Sequence, residues 1–199
     1  MSDEHYFTAD PSVPFTRKPV HARVWGHDLA LDSGSGVFAQ GRVDAGTAVL
    51  FREAEPQAAD GPFLDLGCGY GVVALALAAV RPGAEVWAVD VNERALLLTR
   101  ENAAAAGLAV HAVGPEEVPP EVRFSEIWSN PPIRIGKQAL HELLLTWLPR
   151  LAPDGRAVLV VGRNLGADSL HRWIEEQGWD VARLGSAKGF RVLEVRPRT

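Results

Sequence analysis

Phe63-Leu64-Asp65-Leu66-Gly67-Cys68-Gly69-Tyr70-Gly71, running on into the apolar stretch Val72–Val80, decides the fold. A short run of large apolar residues that meets glycines predicts a buried strand over 63–66, turning into a helix from Gly71. Glycines there let the chain turn sharply and let a ligand approach the main chain. The same unit repeats downstream. Strand-like runs cover 85–91, 109–113, 124–129, 156–162, 179–184 and 191–195, and helix-like runs cover 71–79, 93–106, 137–151 and 167–177. Over 137–151 the residues Leu140, Leu143, Leu144, Trp147, Leu148 and Leu151 form the i, i+3, i+4, i+7 stripe of a helix lying on a sheet. Pro153-Asp154-Gly155 predicts a turn. Strands alternating with helices predict an α/β fold, with a seven-stranded, mostly parallel sheet covered on both faces. Residues 185–189, Gly-Ser-Ala-Lys-Gly, predict that the last two strands form an antiparallel hairpin.

Upstream of Phe63 the pattern is less regular. Residues 1–18, with Asp10-Pro11 and Val13-Pro14, read as an irregular arm on which Arg17-Lys18 either touch nucleic acid or are simply solvated. Residues 20–25 and 28–31 alternate around Gly26-His27, which predicts a small hairpin. A glycine-rich loop and a helix over 46–53 follow, and 54–62 reads as a linker. The expected organisation is an N-terminal arm, hairpin and helix over 1–56, packed on a catalytic-type domain over 57–199.

Composition narrows the partners. The chain has 199 residues, a formal charge of −5 and 47% hydrophobic residues, so it can bury a sizeable core but has no global attraction for nucleic acid. Any nucleic-acid binding must come from a local basic patch. Cys68 is the single cysteine, which excludes an internal disulfide and a cysteine-based zinc site. The six histidines have no metal-ligand spacing, so no metal is expected. Met1–Asp10 is polar, and no apolar run reaches the ~20 residues of a membrane span, so no signal peptide and a cytoplasmic location are expected.

Three positions carry chemistry. Asp65 stands two residues before the first loop glycine, at the carboxyl end of its strand, where it can meet a cationic amino-acid group. The spacing Gly67, Gly69, Gly71 departs from the G-x-G-x-x-G of dinucleotide binders. Together these features point to S-adenosylmethionine rather than NAD, with Cys68 packed between two of the glycines. The next strand ends Val89-Asp90-Val91-Asn92. Asp90 is an acceptor-only fork placed for two ribose hydroxyls; alternatively, Asp90 and Asn92 cap the following helix. A later strand ends Ser129-Asn130-Pro131-Pro132-Ile133. Two prolines stiffen that segment and leave its carbonyls free. The Asn130 side chain and the Pro131 carbonyl can then both accept from one exocyclic amine, holding its lone pair toward a methyl donor.

With these motifs assembled, the chain resembles class I S-adenosylmethionine-dependent methyltransferases of the small-subunit ribosomal RNA guanine-N2 type, in particular single-domain members with Asn130-Pro131-Pro132-Ile133-Arg134-Ile135-Gly136-Lys137. The resemblance extends to 35–44 and 188–193. It implies a Rossmann-like fold whose last strand is antiparallel. It implies cofactor contacts at Asp65, Gly67, Cys68, Gly69, Gly71, Asp90, Val91 and Asn130, and amine positioning by Asn130, Pro131 and Pro132. Many amine methyltransferases place an aromatic residue where Ile133 stands. Among residues facing a substrate, Arg134 and Lys137 either hold a phosphate or form a solvated pair. Phe38 either closes over the cofactor or plugs against the sheet. The resemblance implies ribosomal RNA as partner. The motif itself also serves small-molecule amines and protein glutamine, and a non-catalytic cofactor-binding module is a further alternative.

Overall fold

The computed structural model describes residues 14–58, 60–131 and 136–198. The strand predicted at 63–66 is β3 (Phe63–Leu66), and all four of its residues are buried. Their side chains alternate between two cores: Phe63 joins one and Leu64 and Leu66 the other. A strand buried on both faces reads as a continuous apolar run, which is why this segment shows no polar alternation.

Seven strands form the sheet: β3, β4 (Val86–Val89), β5 (His111–Val113), β6 (Phe124–Ser129), β7 (Leu151–Gly162), β8 (Trp179–Ala187) and β9 (Phe190–Pro197), in the spatial order β5-β4-β3-β6-β7-β9-β8. The pairs β3–β4, β3–β6, β4–β5 and β6–β7 are parallel. Only β9 runs the other way, antiparallel to both β7 and β8. The chain therefore leaves β3 toward β5, then crosses back to place β6 on the other side of β3. That reversal opens a crevice outside the carboxyl ends of β3 and β6.

One face of the sheet is covered by α1 (Ala45–Glu53), α2 (Val72–Val80), α3 (Glu93–Ala106) and the hairpin β1 (Arg17–Val24) and β2 (His27–Gly34). The other face is covered by α4 (Lys137–Trp147) and α5 (Ala167–Glu176). Residues Val72 to Ala78 of α2 are all buried. Its all-apolar sequence thus reflects a helix enclosed on every side.

The structure corrects four local expectations. The arm does not extend to residue 18, because β1 begins at Arg17, whose guanidinium pairs with Glu101 at 2.7 Å. The hairpin turns at Trp25-Gly26 rather than Gly26-His27, since Val24 pairs with His27. Both turn residues have positive φ, 48° and 88°, as the tightest hairpins require. Trp25 is held there by its indole, whose Nε1 donates to the carbonyls of Phe51 and Ala54, both at 3.0 Å. The helix expected over 137–151 ends at Trp147, and a single 3₁₀ turn, Leu148–Arg150, leads straight into β7. Pro149 cannot continue an α-helix, having no N–H and a ring that crowds the preceding turn. Finally, Pro153-Asp154-Gly155 is no free turn but a bulge inside β7: Phe124 pairs with Leu151 and Glu126 with Arg156. A Cβ on Gly155 would lie 2.8 Å from the Phe124 carbonyl oxygen, so only glycine lets the bulge close against β6.

Candidate active site

The loop after β3 is tied down before any ligand is considered. Gly67 and Cys68 donate their amides to the Val89 carbonyl at 2.8 and 3.1 Å, which fixes the loop to the end of β4. Gly67, Gly69 and Gly71 all have left-handed φ, at 76°, 56° and 86°. Gly71 is more tightly enclosed than Gly69. A Cβ there would approach Thr99 at 2.7 Å, so the residue that caps α2 must have no side chain. Thr99 closes the loop from α3, its hydroxyl donating to the Gly69 carbonyl at 3.1 Å.

Asp65 lies under this loop and is only 2% exposed. One of its carboxylate oxygens accepts from the Ala74 amide at 2.9 Å, in the first turn of α2. Burial is the main influence on its acidity, and Asp90 adds to it; together they outweigh the Ala74 bond and raise the pKa to about 7. Asp90 sits at the end of β4. Its two oxygens accept from Gly69 at 2.9 Å and from Asn92 at 3.0 Å. Burial also raises the Asp90 pKa, against those main-chain bonds. A carboxylate has about four acceptor positions, so the bonds from Gly69, Asn92 and Val91 leave about one for a ligand. The capping alternative is realised by Asn92, whose side chain accepts from Arg94 and Ala95 at the start of α3. Asp90 is thus left facing the loop. Among the described residues neither Asp65 nor Asp90 has a cationic partner.

Asn130 arrives at the same crevice from the end of β6. Its Nδ2 donates to Asp44 Oδ2 at 2.8 Å and to Thr47 Oγ1 at 3.0 Å. Asp65, Gly67, Cys68, Gly69 and Asn130 line one pocket with Phe38, Asp44, Thr47 and Tyr70. Phe38, 40% exposed, borders that pocket and is not a plug against the sheet. Cys68 is buried, and burial first, then the two carboxylates, push its thiol well up. It therefore packs against Thr99 at 3.6 Å and is no nucleophile. Val91 follows Asp90 with 49% of its surface exposed and does not line the pocket. Pro131 is buried, and Lys137 is exposed at the first turn of α4. Pro132, Ile133 and Arg134 lie outside the described residues. No group of three or more histidine, cysteine or carboxylate side chains is arranged for a metal among the described residues.

Sequence reading missed the partners of Asn130. Asp44 lies 86 residues away and Thr47 lies 83 away. Their only local signal is an Asp before Ala45-Gly46-Thr47, which reads as an ordinary helix cap. Tyr70 was also missed; its hydroxyl donates to the Arg42 carbonyl at 3.0 Å and fastens the glycine loop to the segment before α1.

A sheet with this strand order, one reversed strand at the same place and a glycine loop at the crossover crevice defines a class I methyltransferase. The sequence matches the Methyltransferase small domain family over residues 28–194, and the chain belongs to that family. It is 32% identical over 197 residues to the uncharacterized protein YbxB of Bacillus subtilis, with 97% of this chain and 98% of that one covered. It is 35% identical over 177 residues to the ribosomal RNA small subunit methyltransferase C of Ectopseudomonas mendocina, covering 84% of this chain and 51% of that protein. The chain thus spans about half the length of that methyltransferase. Among solved structures, the Thermus thermophilus 16S rRNA N2 G1207 methyltransferase in complex with AdoMet and guanosine superposes with a TM-score of 0.81 at 28% identity, covering 94% of this chain and 52% of that one.

Proposed function

We propose that this protein transfers a methyl group from S-adenosylmethionine to the exocyclic N2 of a guanine in ribosomal RNA. The observation that carries the reading is the close superposition on a 16S rRNA guanine-N2 methyltransferase together with the place of Asn130. Buried Asp65 and half-buried Asp90 stand under and beside the glycine loop with no cation paired to either among the described residues, an arrangement that suits a ligand bearing a positive amino-acid group. The residues present therefore fit the cofactor. Asp65 would hold its ammonium group, Asp90 a ribose hydroxyl, and the amides of the glycine loop would line its approach. When bound, S-adenosylmethionine supplies an activated methyl group.

The chain supplies position. Asn130 Oδ1 and the Pro131 carbonyl accept hydrogen bonds from one primary amine and hold it in place. An amine so fixed needs no strong base to become nucleophilic, because orientation alone removes several kcal/mol from a bimolecular barrier. The base would be extruded from its RNA into the pocket, with Phe38 at the rim. Arg42, Lys137, Arg163 and Lys188 are exposed around the carboxyl edge of the sheet, and none of them forms an ion pair among the described residues. This is the local basic patch that a chain of net charge −5 requires for RNA. It favours RNA over a small-molecule amine or protein glutamine.

The test is methylation of bulk RNA, protein and metabolite fractions with cofactor carrying a labelled methyl group. Label is expected in RNA and, after digestion, on guanine N2. Label confined to protein or metabolites would overturn the substrate. Calorimetry that detects no binding of S-adenosylmethionine would overturn the whole reading.

A further inference from the structure

The amide of Asn130 can be built in two orientations that differ only in which atom, oxygen or nitrogen, faces the pocket. Its neighbours decide between them. Asp44 Oδ2 lies 2.8 Å from the amide, and a carboxylate can only accept. The nitrogen must therefore point at Asp44 and Thr47, which leaves Oδ1 on the opposite side. Among the described residues Oδ1 makes no hydrogen bond.

Asp44 is itself held from the helix side. The same Oδ2 accepts from the amides of Gly46 at 2.7 Å and Thr47 at 3.3 Å, as the cap of α1. Thr47 is 5% exposed, and its hydroxyl provides the second acceptor at 3.0 Å. One capped helix terminus thus presents two acceptors at fixed positions to a side chain that follows β6, 83 residues after Thr47.

We propose that Asp44 and Thr47 are positioning residues that lock the Asn130 amide with its carbonyl oxygen toward the substrate amine. The inference rests on the methyltransferase reading for its consequence and on hydrogen-bond geometry for its structure. Without the lock the amide rotates, and half of its orientations offer the amine a donor in place of an acceptor.

Four variants test it. Asp44→Ser keeps a capping oxygen for α1 but is too short to reach Asn130. Thr47→Val removes the second acceptor with little change of shape. Asp44→Asn can cap the helix through its oxygen and present that same oxygen to Asn130, so it keeps the lock and loses only charge. Asn130→Ala removes the locked group itself.

The first readout needs no substrate: the side-chain amide resonances of Asn130, assigned by their absence in Asn130→Ala. The Asp44→Ser/Thr47→Val pair should shift them and speed their exchange with solvent, whereas Asp44→Asn should preserve slow exchange. Unmoved resonances in the double variant would overturn the lock. The second readout is turnover on whichever fraction accepts label from the parent protein. Asp44→Ser/Thr47→Val should lower kcat ~10- to 100-fold, with the dissociation constant for S-adenosylmethionine unchanged. It should add no further loss in the Asn130→Ala background. Asp44→Asn should recover most of that turnover. A loss in Asp44→Asn as large as in Asp44→Ser would overturn positioning in favour of the charge itself. If no fraction takes label, the proposed function falls while the resonances still judge the lock.

Discussion

Asp65 is a carboxylate in a place that disfavours its charge. Burial and the nearby Asp90 hold its pKa at about 7, whereas the unfolded chain has the ordinary value of 3.8. Between these two values the folded protein binds more protons than the unfolded one, so this group makes stability fall as pH rises. The penalty is absent below about pH 4 and complete above about pH 7. The Asp65→Asn variant keeps the bond from Ala74 and removes the penalty. Its melting temperature should exceed that of the parent increasingly from about pH 4 to about pH 7 and by a constant margin beyond, worth on the order of a few kcal/mol. The same variant should bind S-adenosylmethionine far more weakly. In the parent, affinity should climb as pH passes through about 7, because the ionised carboxylate is the form that pairs with an ammonium. Calorimetry at three pH values decides both points.

At the scale of elements, the segment before β3 is fastened by a buried polar cluster at the far end of the sheet from the crevice. Glu126 on β6 accepts from the amides of Gln57 and Ala58, both at 2.6 Å, and from the Trp128 indole at 2.9 Å. Arg156 on β7 meets Glu126 at 3.2 Å and Glu194 on β9 at 2.9 Å. The cluster ties three neighbouring strands to the segment that leads from α1 into β3. Removing one partner leaves the others buried and unpaired. The Glu126→Ala variant should therefore lose roughly 3 kcal/mol of stability in chemical denaturation, while cofactor affinity measured well below the midpoint stays near that of the parent. A reading of 54–62 as mere linker does not anticipate such an anchor. Its acceptors belong to strands far along the chain, and an isolated Glu in an apolar run looks like an interruption rather than a partner.

Across the whole molecule, charge is distributed against the average. The protein is acidic overall, yet Arg42, Lys137, Arg163 and Lys188, exposed and without acidic partners among the described residues, stand at the carboxyl edge of the sheet. Arg163 follows β7 and donates its amide to Gly189 at 2.7 Å, which brings it beside Lys188 in the turn between β8 and β9. For the RNA substrate proposed above, reversing both charges, Arg163→Glu with Lys188→Glu, should weaken binding at least tenfold and flatten its salt dependence by about two phosphate contacts. Affinity for S-adenosylmethionine should not change. Filter binding across a salt series would show this, and an unchanged salt slope would remove these residues from the RNA surface.

The local and the distant parts of this molecule divide cleanly. The run from Phe63 to Gly71 sufficed for a strand, a tight turn and a helix, because burial on both faces and positive φ are properties that residue types themselves impose. That Asp65, Asp90 and Asn130 come to one edge was also legible, since each stands near the carboxyl end of its strand and parallel strands bring those ends together. Tertiary structure alone decided that Asn130 would meet Asp44 and Thr47, that Glu126 would clamp the approach to β3, and that β9 would insert between β7 and β8. Those pairings depend on where the chain crosses the sheet. The crossing is set by the joint packing of both apolar layers, and no stretch of sequence carries it alone.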